Sequence, residues 1–233
     1  MALEALIFDV DGTLAETEEL HRAAFNQAFS EAGLNWHWTE DDYENLLKVT
    51  GGKERILAHA KSLGDDTIDP SPLHRRKTAL YNDMLRAGAL PLRPGVESLI
   101  RLARETGLKL AIATTTSREN IHTLLDVTLG THARGWFQAM CTGEDVTVKK
   151  PDPEVYQLAL ERLGLSPSSC LAFEDTRNGI LAARGAGLDV IVTPSRYSMS
   201  EDFSGAAGVI PTLEFQHLEP LLSSYDVKLR PSI

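Results

Sequence analysis

The chain has 233 residues, 42% hydrophobic and 24% charged, an ordinary balance for a soluble globular protein and enough length for one α/β domain with a smaller insertion. Its formal net charge of -10 argues against nucleic acid, which needs clustered Lys and Arg, but leaves room for a local cationic pocket taking small anions. Two cysteines without zinc spacing, Cys141 and Cys170, no run of membrane-span length, and an N-terminus that opens a strand rather than a signal peptide lead us to expect a soluble, cytoplasmic protein with reduced thiols.

An apolar run over residues 3–8 reads as a buried strand ending at Asp9-Val10-Asp11-Gly12-Thr13. Ligands of open α/β sheets bind at the carboxyl edge of the strands. If strand geometry persists, Asp9 and Asp11 share one side, and Gly12 lets the chain turn away. Such a pair can hold a hard cation and also supply a nucleophile and an acid. A glycosyltransferase-type Asp-x-Asp is a lesser reading of the same residues.

Helical spacing follows. Leu20, Ala24, Phe25, Ala28, Phe29 and Ala32 form a stripe stopped by Gly33. Thr39 and Asp42 resemble a capping pair opening a second helix through residue 47. Gly51-Gly52 interrupts, a third helix spans 53–63, and a fourth, entered through Pro70 and Pro72, runs to about residue 90. With no strand between 15 and 90, this stretch is expected to be an all-helical cap (16–90) inserted into a core of 1–15 and 91–233.

Beyond Pro94, helices and strands alternate. Helices are expected at 96–106, from 118, and at 154–163, 176–186 and 213–222; strands at 109–114, 137–141, 170–174, 189–193 and 208–210. The alternation implies a parallel, Rossmann-like sheet with right-handed crossovers. Three strand ends besides the first carry chemistry. Thr114-Thr115-Thr116-Ser117 offers hydroxyls and free N–H groups as a phosphate cradle, although helix capping alone explains such residues. Lys150 before Pro151 can neutralise a phosphate, whereas Lys149 reads as part of a solvated turn. Glu174-Asp175, with Gly179 behind, adds two acids that together with Asp9 and Asp11 suit Mg²⁺.

In this order the four segments resemble the haloacid dehalogenase-like phosphohydrolases: Asp-x-Asp-Gly-Thr at 9–13, Thr114, Lys150-Pro151, and Glu-Asp-x-x-x-Gly at 174–179. The resemblance implies that Asp9 attacks phosphorus to give an aspartyl-phosphate, and that Asp11 protonates the leaving oxygen and then activates water. Asp11 must therefore start protonated, a state that nearby anions favour. It implies Mg²⁺ on the Asp9 carboxylate, the Asp11 backbone carbonyl and Asp175, with Glu174 as a ligand or just behind, while Thr114 and Lys150 bind the transferring phosphoryl group.

Within that superfamily the chain is similar to the CbbY-like group, with a cap of the β-phosphoglucomutase type. The residues concerned are 15–21, Tyr43, Gly51-Gly52-Lys53-Glu54-Arg55 and 114–117. Enzymes of that group are associated with carbon fixation and dephosphorylate xylulose 1,5-bisphosphate, so a second phosphate needs its own cations. Lys53 and Arg55 beside Gly52 are the better candidates; Arg75, Arg76 and Lys77 are others, though Arg75-Arg76-Lys77 also reads as a solvated helix face. Glu18, Tyr43, Thr115 and Thr116 are candidate sugar or phosphate contacts, and His21 a contact from the cap. The expected partner is a small phosphorylated sugar, and a monomer is the simplest assembly the sequence allows. A sugar-phosphate mutase, a phosphoglycolate or sugar-monophosphate phosphatase, and a non-catalytic binding protein are the alternatives.

Overall fold

The computed structural model describes residues 2–88, 90–222 and 225. Met1, residues 223, 224 and 226–233 of the expected core segments, and Ala89 of the expected cap lie outside the described residues.

Six short strands, β1 (Ala5–Phe8), β2 (Lys109–Ala113), β3 (Ala139–Cys141), β4 (Cys170–Glu174), β5 (Asp189–Val192) and β6 (Gly208–Val209), form one parallel sheet in the order β3-β2-β1-β4-β5-β6. Their continuous apolar character follows from helices on both faces. Leu6 and Phe8 face one layer with Leu110, Ile112, Leu171 and Phe173. Helices α5 (Val96–Glu105), α6 (Arg118–Thr128) and α9 (Phe215–Leu222) supply Ile100, Leu124 and Leu218 to that layer. Ala5 and Ile7 face the other, filled by Tyr156 and Ala159 of α7 (Glu154–Leu163) and by Ala182 and Ala183 of α8 (Arg177–Gly185). Strand β1 is central, with β2 on one side and β4 on the other, so chain order reverses beside it. That reversal is the crevice where such sheets bind ligands.

Between β1 and α5 run four helices, α1 (Glu18–Glu31), α2 (Glu40–Leu46), α3 (Gly52–Ser62) and α4 (Pro70–Ala87). One cluster joins Phe25, Phe29, Trp38, Tyr43, Ile56 and Leu73 with Tyr197 of the loop after β5, and in it Trp38 lies 4.7 Å from Phe25 and 4.8 Å from Phe29 between ring centroids, while Ala24, Ala28, Leu80 and Leu85 of α1 and α4 pack with the sheet layer. Thr39 and Asp42 form the full reciprocal capping box. Helix α4 stops at Ala87, short of residue 90, because Gly88 is extended and Leu90 precedes Pro91, where helical backbone is disfavoured. Strand β3 begins at Ala139 rather than 137, after a 3₁₀ turn over Thr131–Trp136 that the sequence did not signal.

The helical unit sits against the core through side chains on both sides of the crevice. Asn178 donates to Thr50 Oγ1 at 3.0 Å, and Asn82 to Asn120 Oδ1 at 2.9 Å. At the linkers, Arg93 donates to the carbonyls of Gly12, Thr193 and Pro194 and lies 3.2 Å from Glu16, tying both crossing segments to the loop after β5.

Candidate active site

Asp9 is the first residue beyond β1, and its N–H still donates to Phe173 of β4. Its carboxylate, with those of Glu174 and Asp175, forms a buried group whose ligand atoms lie within 4.8 Å of one another. Lys150 enters from the loop after β3 and donates to Asp9 Oδ1 at 2.7 Å, Glu174 Oε1 at 2.6 Å and the Ala113 carbonyl at 2.9 Å. Tyr156 on α7 donates to the same Glu174 oxygen at 2.6 Å. Two glycines permit the crowding: a β-carbon at either Gly12 or Gly179 would fall 2.0 Å from the carboxyl atoms of Asp175 or Glu174 respectively.

Three carboxylates thus face a single ammonium. Burial pushes Asp9 up to about 8 against the pull of Lys150, with Glu174 adding to the rise. Burial and the neighbouring Asp9 and Glu174 carboxylates raise Asp175 well above the carboxylate range. Asp175 Oδ1 is buried and, among the described residues, has no hydrogen-bond partner. A missing double positive charge, all-oxygen donors and an unclaimed oxygen are what a hard divalent cation would satisfy, so the residues fit such an ion.

Asp11 is turned elsewhere. Strand geometry does not persist past Phe8: Gly12, at φ 78, bends the chain back, and its N–H donates to the Ala15 carbonyl. The Asp11 carboxylate accepts from Thr17 Oγ1 at 2.6 Å and meets His21 Nε2 at 3.1 Å, and His21 Nδ1 lies 2.7 Å from Lys77 Nζ. An ammonium only donates, so Nδ1 must accept, and the remaining ring N–H points at Asp11. Burial opposes charge on Asp11, but His21, Thr17 and Lys77 outweigh it and hold the carboxyl below its usual range. This corrects the expectation that surrounding anions keep Asp11 protonated: its nearest partners are donors from the cap.

On the β2 side, Thr114 Oγ1 accepts from the Thr116 N–H at 3.3 Å, and Ser117 caps α6. Lys149 donates to the carbonyls of Gly143 and Val146 and braces that loop. Thr176, not Asp175, is the N-cap of α8, which leaves both acids free for the cluster. Arg177 is engaged with the Ser204 carbonyl.

A cleft of about 660 Å³ separates this edge from the cap and is lined by Asp9, Asp11, Glu18, Gly52, Lys53, Arg55, Arg75, Thr114, Thr115, Thr116, Lys150, Glu174 and Asp175, among others. Tyr43 is fully buried behind it, donating to Glu18 Oε2 at 2.8 Å and accepting from Arg55 Nη1 at 3.0 Å. Arg55 also donates to the Leu46 carbonyl. Tyr43 therefore holds Glu18 from behind the cleft, and Arg55, at the cleft wall, braces Tyr43. Arg76 pairs with Glu31, and Lys77 is buried against His21 and over the Phe25 ring, so a solvated face describes neither Lys77 nor its surroundings. Lys53 and Arg75 are exposed at the cleft and, among the described residues, have no ion-pair partner. Tyr156 and Asn120 were not singled out as site residues by pattern, because their roles depend on partners far away in sequence, and Lys77, a candidate cation for the second phosphate, is turned instead to His21.

Comparison with known proteins places these features in a family context. A sequence model described as haloacid dehalogenase-like hydrolase matches residues 3–187. The chain is 50% identical to Protein CbbY of Rhodobacter capsulatus, over 91% of this chain and 95% of that protein. It is similar to the crystal structure of CbbY from Rhodobacter sphaeroides in complex with phosphate, at TM-score 0.88 and 43% identity, covering 94% of this chain and 99% of that one. A mutant of the same protein in complex with xylulose-(1,5)bisphosphate matches with TM-score 0.88 and 42% identity over the same shares.

Proposed function

The chain belongs to the haloacid dehalogenase-like hydrolases and is a sugar-phosphate phosphatase, and from that premise we propose that its substrate is xylulose 1,5-bisphosphate, cleaved with Mg²⁺. The observation that carries the reading is the facing pair of charge clusters: Asp9, Lys150, Glu174 and Asp175 at the sheet edge, and the unpaired Lys53 and Arg75 on the cap across one cleft. A bisphosphate spans such an arrangement, with one phosphate to be cleaved and one to be held. The bisphosphate bound to the Rhodobacter sphaeroides relative supports the same choice.

In this proposal an Asp9 oxygen forms a bond to phosphorus while the ester P–O bond breaks. The leaving oxygen takes a proton from Asp11, which draws it from His21 Nε2 while the Lys77 ammonium gives a proton to His21 Nδ1, and the proton that Asp11 later takes from water returns along the same path; the Thr17 hydroxyl orients the carboxylate. A water then gives its proton to Asp11 and attacks phosphorus, releasing inorganic phosphate and restoring the Asp9 carboxylate. Lys150 neutralises charge beside Asp9 throughout, and the Thr114 hydroxyl with the N–H groups of the following loop binds phosphoryl oxygens. Asp9, Asp175, the Asp11 carbonyl and Glu174 would hold Mg²⁺, which when bound withdraws charge from the phosphoryl oxygens.

The test is phosphate release from a panel of xylulose and ribulose bisphosphates, glucose phosphates and phosphoglycolate, with and without Mg²⁺. Xylulose 1,5-bisphosphate is expected to give the highest kcat/KM, and Asp9→Asn to abolish turnover with the fold intact. Substantial residual turnover in Asp9→Asn would overturn its nucleophilic role; conversion of glucose phosphates to their isomers without phosphate release would replace the phosphatase by a mutase.

A further inference from the structure

We propose that Asn82 of the cap and Asn120 of the core are positioning residues that fix the Thr116 hydroxyl as a hydrogen-bond donor into the substrate cleft. The inference rests on the reading of that cleft as a phosphate-binding site and adds the device by which cap helix α4 sets a donor on the opposite wall.

The chain of bonds has a direction that can be worked out from its end. Asn82 is fully buried on α4, and its Nδ2 donates to the Thr78 carbonyl and to Asn120 Oδ1, both at 2.9 Å. A backbone carbonyl only accepts, so the Asn82 amide cannot be turned around without losing that bond. Asn120 must then present its carbonyl oxygen to Asn82, and its own Nδ2 donates to Thr116 Oγ1 at 2.9 Å. A hydroxyl has a single hydrogen. With Asn120 as its donor, Thr116 does not give that hydrogen to Asn120, and it remains available to the cleft that Thr116 lines. Were Asn120 free to flip, Thr116 would donate to it instead and face an anion with lone pairs.

Packing alone does not account for an asparagine at 82. Its Oδ1 is buried and, among the described residues, has no partner, a destabilising arrangement that a leucine would avoid. Asn82 does not line the cleft, whereas Asn120 and Thr116 do. Asn82 touches the cleft lining at the Thr78 backbone carbonyl and at Asn120, and only the Asn120 contact leads on to Thr116. Thr114 repeats the logic one turn of the loop away: its hydroxyl accepts from the Thr116 N–H and keeps its hydrogen for the cleft.

The experiment is a double-mutant cycle on the full chain with Mg²⁺, reading the dissociation constant of inorganic phosphate by calorimetry and KM for xylulose 1,5-bisphosphate in parallel. Thr116→Val is expected to weaken phosphate binding about tenfold, the scale of one hydrogen bond to a charged group. Asn82→Leu should weaken it severalfold in the wild-type background and not at all in Thr116→Val, and should raise KM more than it lowers kcat. Thr116→Ser, which keeps the hydroxyl, should restore both the affinity and its dependence on Asn82. Asn120→Asp, which accepts from Thr116 and so turns the hydrogen away, should be at least as damaging as Thr116→Val while melting as a folded protein. Equal Asn82→Leu effects in both backgrounds, or full phosphate affinity in Asn120→Asp, would overturn the proposal. Failure of xylulose 1,5-bisphosphate as a substrate, with the phosphate cycle coupled as described, would remove only the substrate assignment.

Discussion

Gly12 and Asp175 meet so closely across the sheet edge that a β-carbon at residue 12 would lie 2.0 Å from Asp175 Oδ2. The backbone of Gly12 is also left-handed, at φ 78, where a side chain is strained by roughly 1–3 kcal/mol. Gly12→Ala must therefore either unbend the turn after Asp11 or push Asp175 out of the acidic group. We expect a loss of about 10²-fold in kcat/KM, the scale of a 1 Å misplacement, together with a reduced rise of the thermal midpoint on adding Mg²⁺. Wild-type turnover and a wild-type Mg²⁺ response in Gly12→Ala would show that the contact is dispensable.

Lys77 gives a pH dependence of stability with a definite sign. Burial pulls its ammonium down from 10.5 to about 8, only partly offset by attraction from Asp11. Between those values the unfolded chain binds more protons than the folded one, so this residue makes stability rise with pH across that window. Below it the folded state carries the full penalty, about 3 kcal/mol for a shift of this size. Lys77→Met removes this penalty. Its urea midpoint relative to wild type should therefore be most favourable near pH 7 and lose that advantage toward pH 10.5. Parallel pH profiles for the two proteins would contradict the assignment.

The sheet was legible because β1 to β5 each carry a short apolar run, with charged residues only at their ends, and helix limits fell within a few residues of Gly and Pro signals. The acidic and cationic residues at strand ends were legible because motif spacing follows from strand ends lying side by side. What the sequence hid has two physical causes. One is local bending: the turn at Gly12 sends the Asp11 carboxylate toward Thr17 and His21, where strand alternation would have kept it beside Asp9. The other is helical rotation, about 100° per residue, which sends three adjacent cations on α4 to three different fates. Arg75 reaches the cleft, Arg76 pairs with Glu31, and Lys77 turns inward to His21. No composition rule separates them, and the Tyr156 bond to Glu174 is equally invisible, since an apolar helix face explains a tyrosine just as well.

Specificity for a second phosphate should reside in Lys53 and Arg75. Both are exposed on the cleft wall formed by the cap, and His74 between them adds no charge, because burial and the nearby Lys77 and Lys53 push it down to about 3. Arg55 is a poorer candidate despite its place in the same motif, since its guanidinium is committed to Tyr43 and the Leu46 carbonyl. Lys53→Ala is expected to raise KM for xylulose 1,5-bisphosphate about five- to tenfold, the worth of one charge-assisted contact at a partly solvated site, while changing KM for a sugar monophosphate less than about twofold. Arg75→Ala should behave in the same way. Arg55→Ala should instead affect both substrates and lower the unfolding midpoint, because it removes a buried support of Glu18. Steady-state kinetics on the two substrate classes separates these outcomes, and an equal rise in KM for mono- and bisphosphate in Lys53→Ala would take the second phosphate away from this residue.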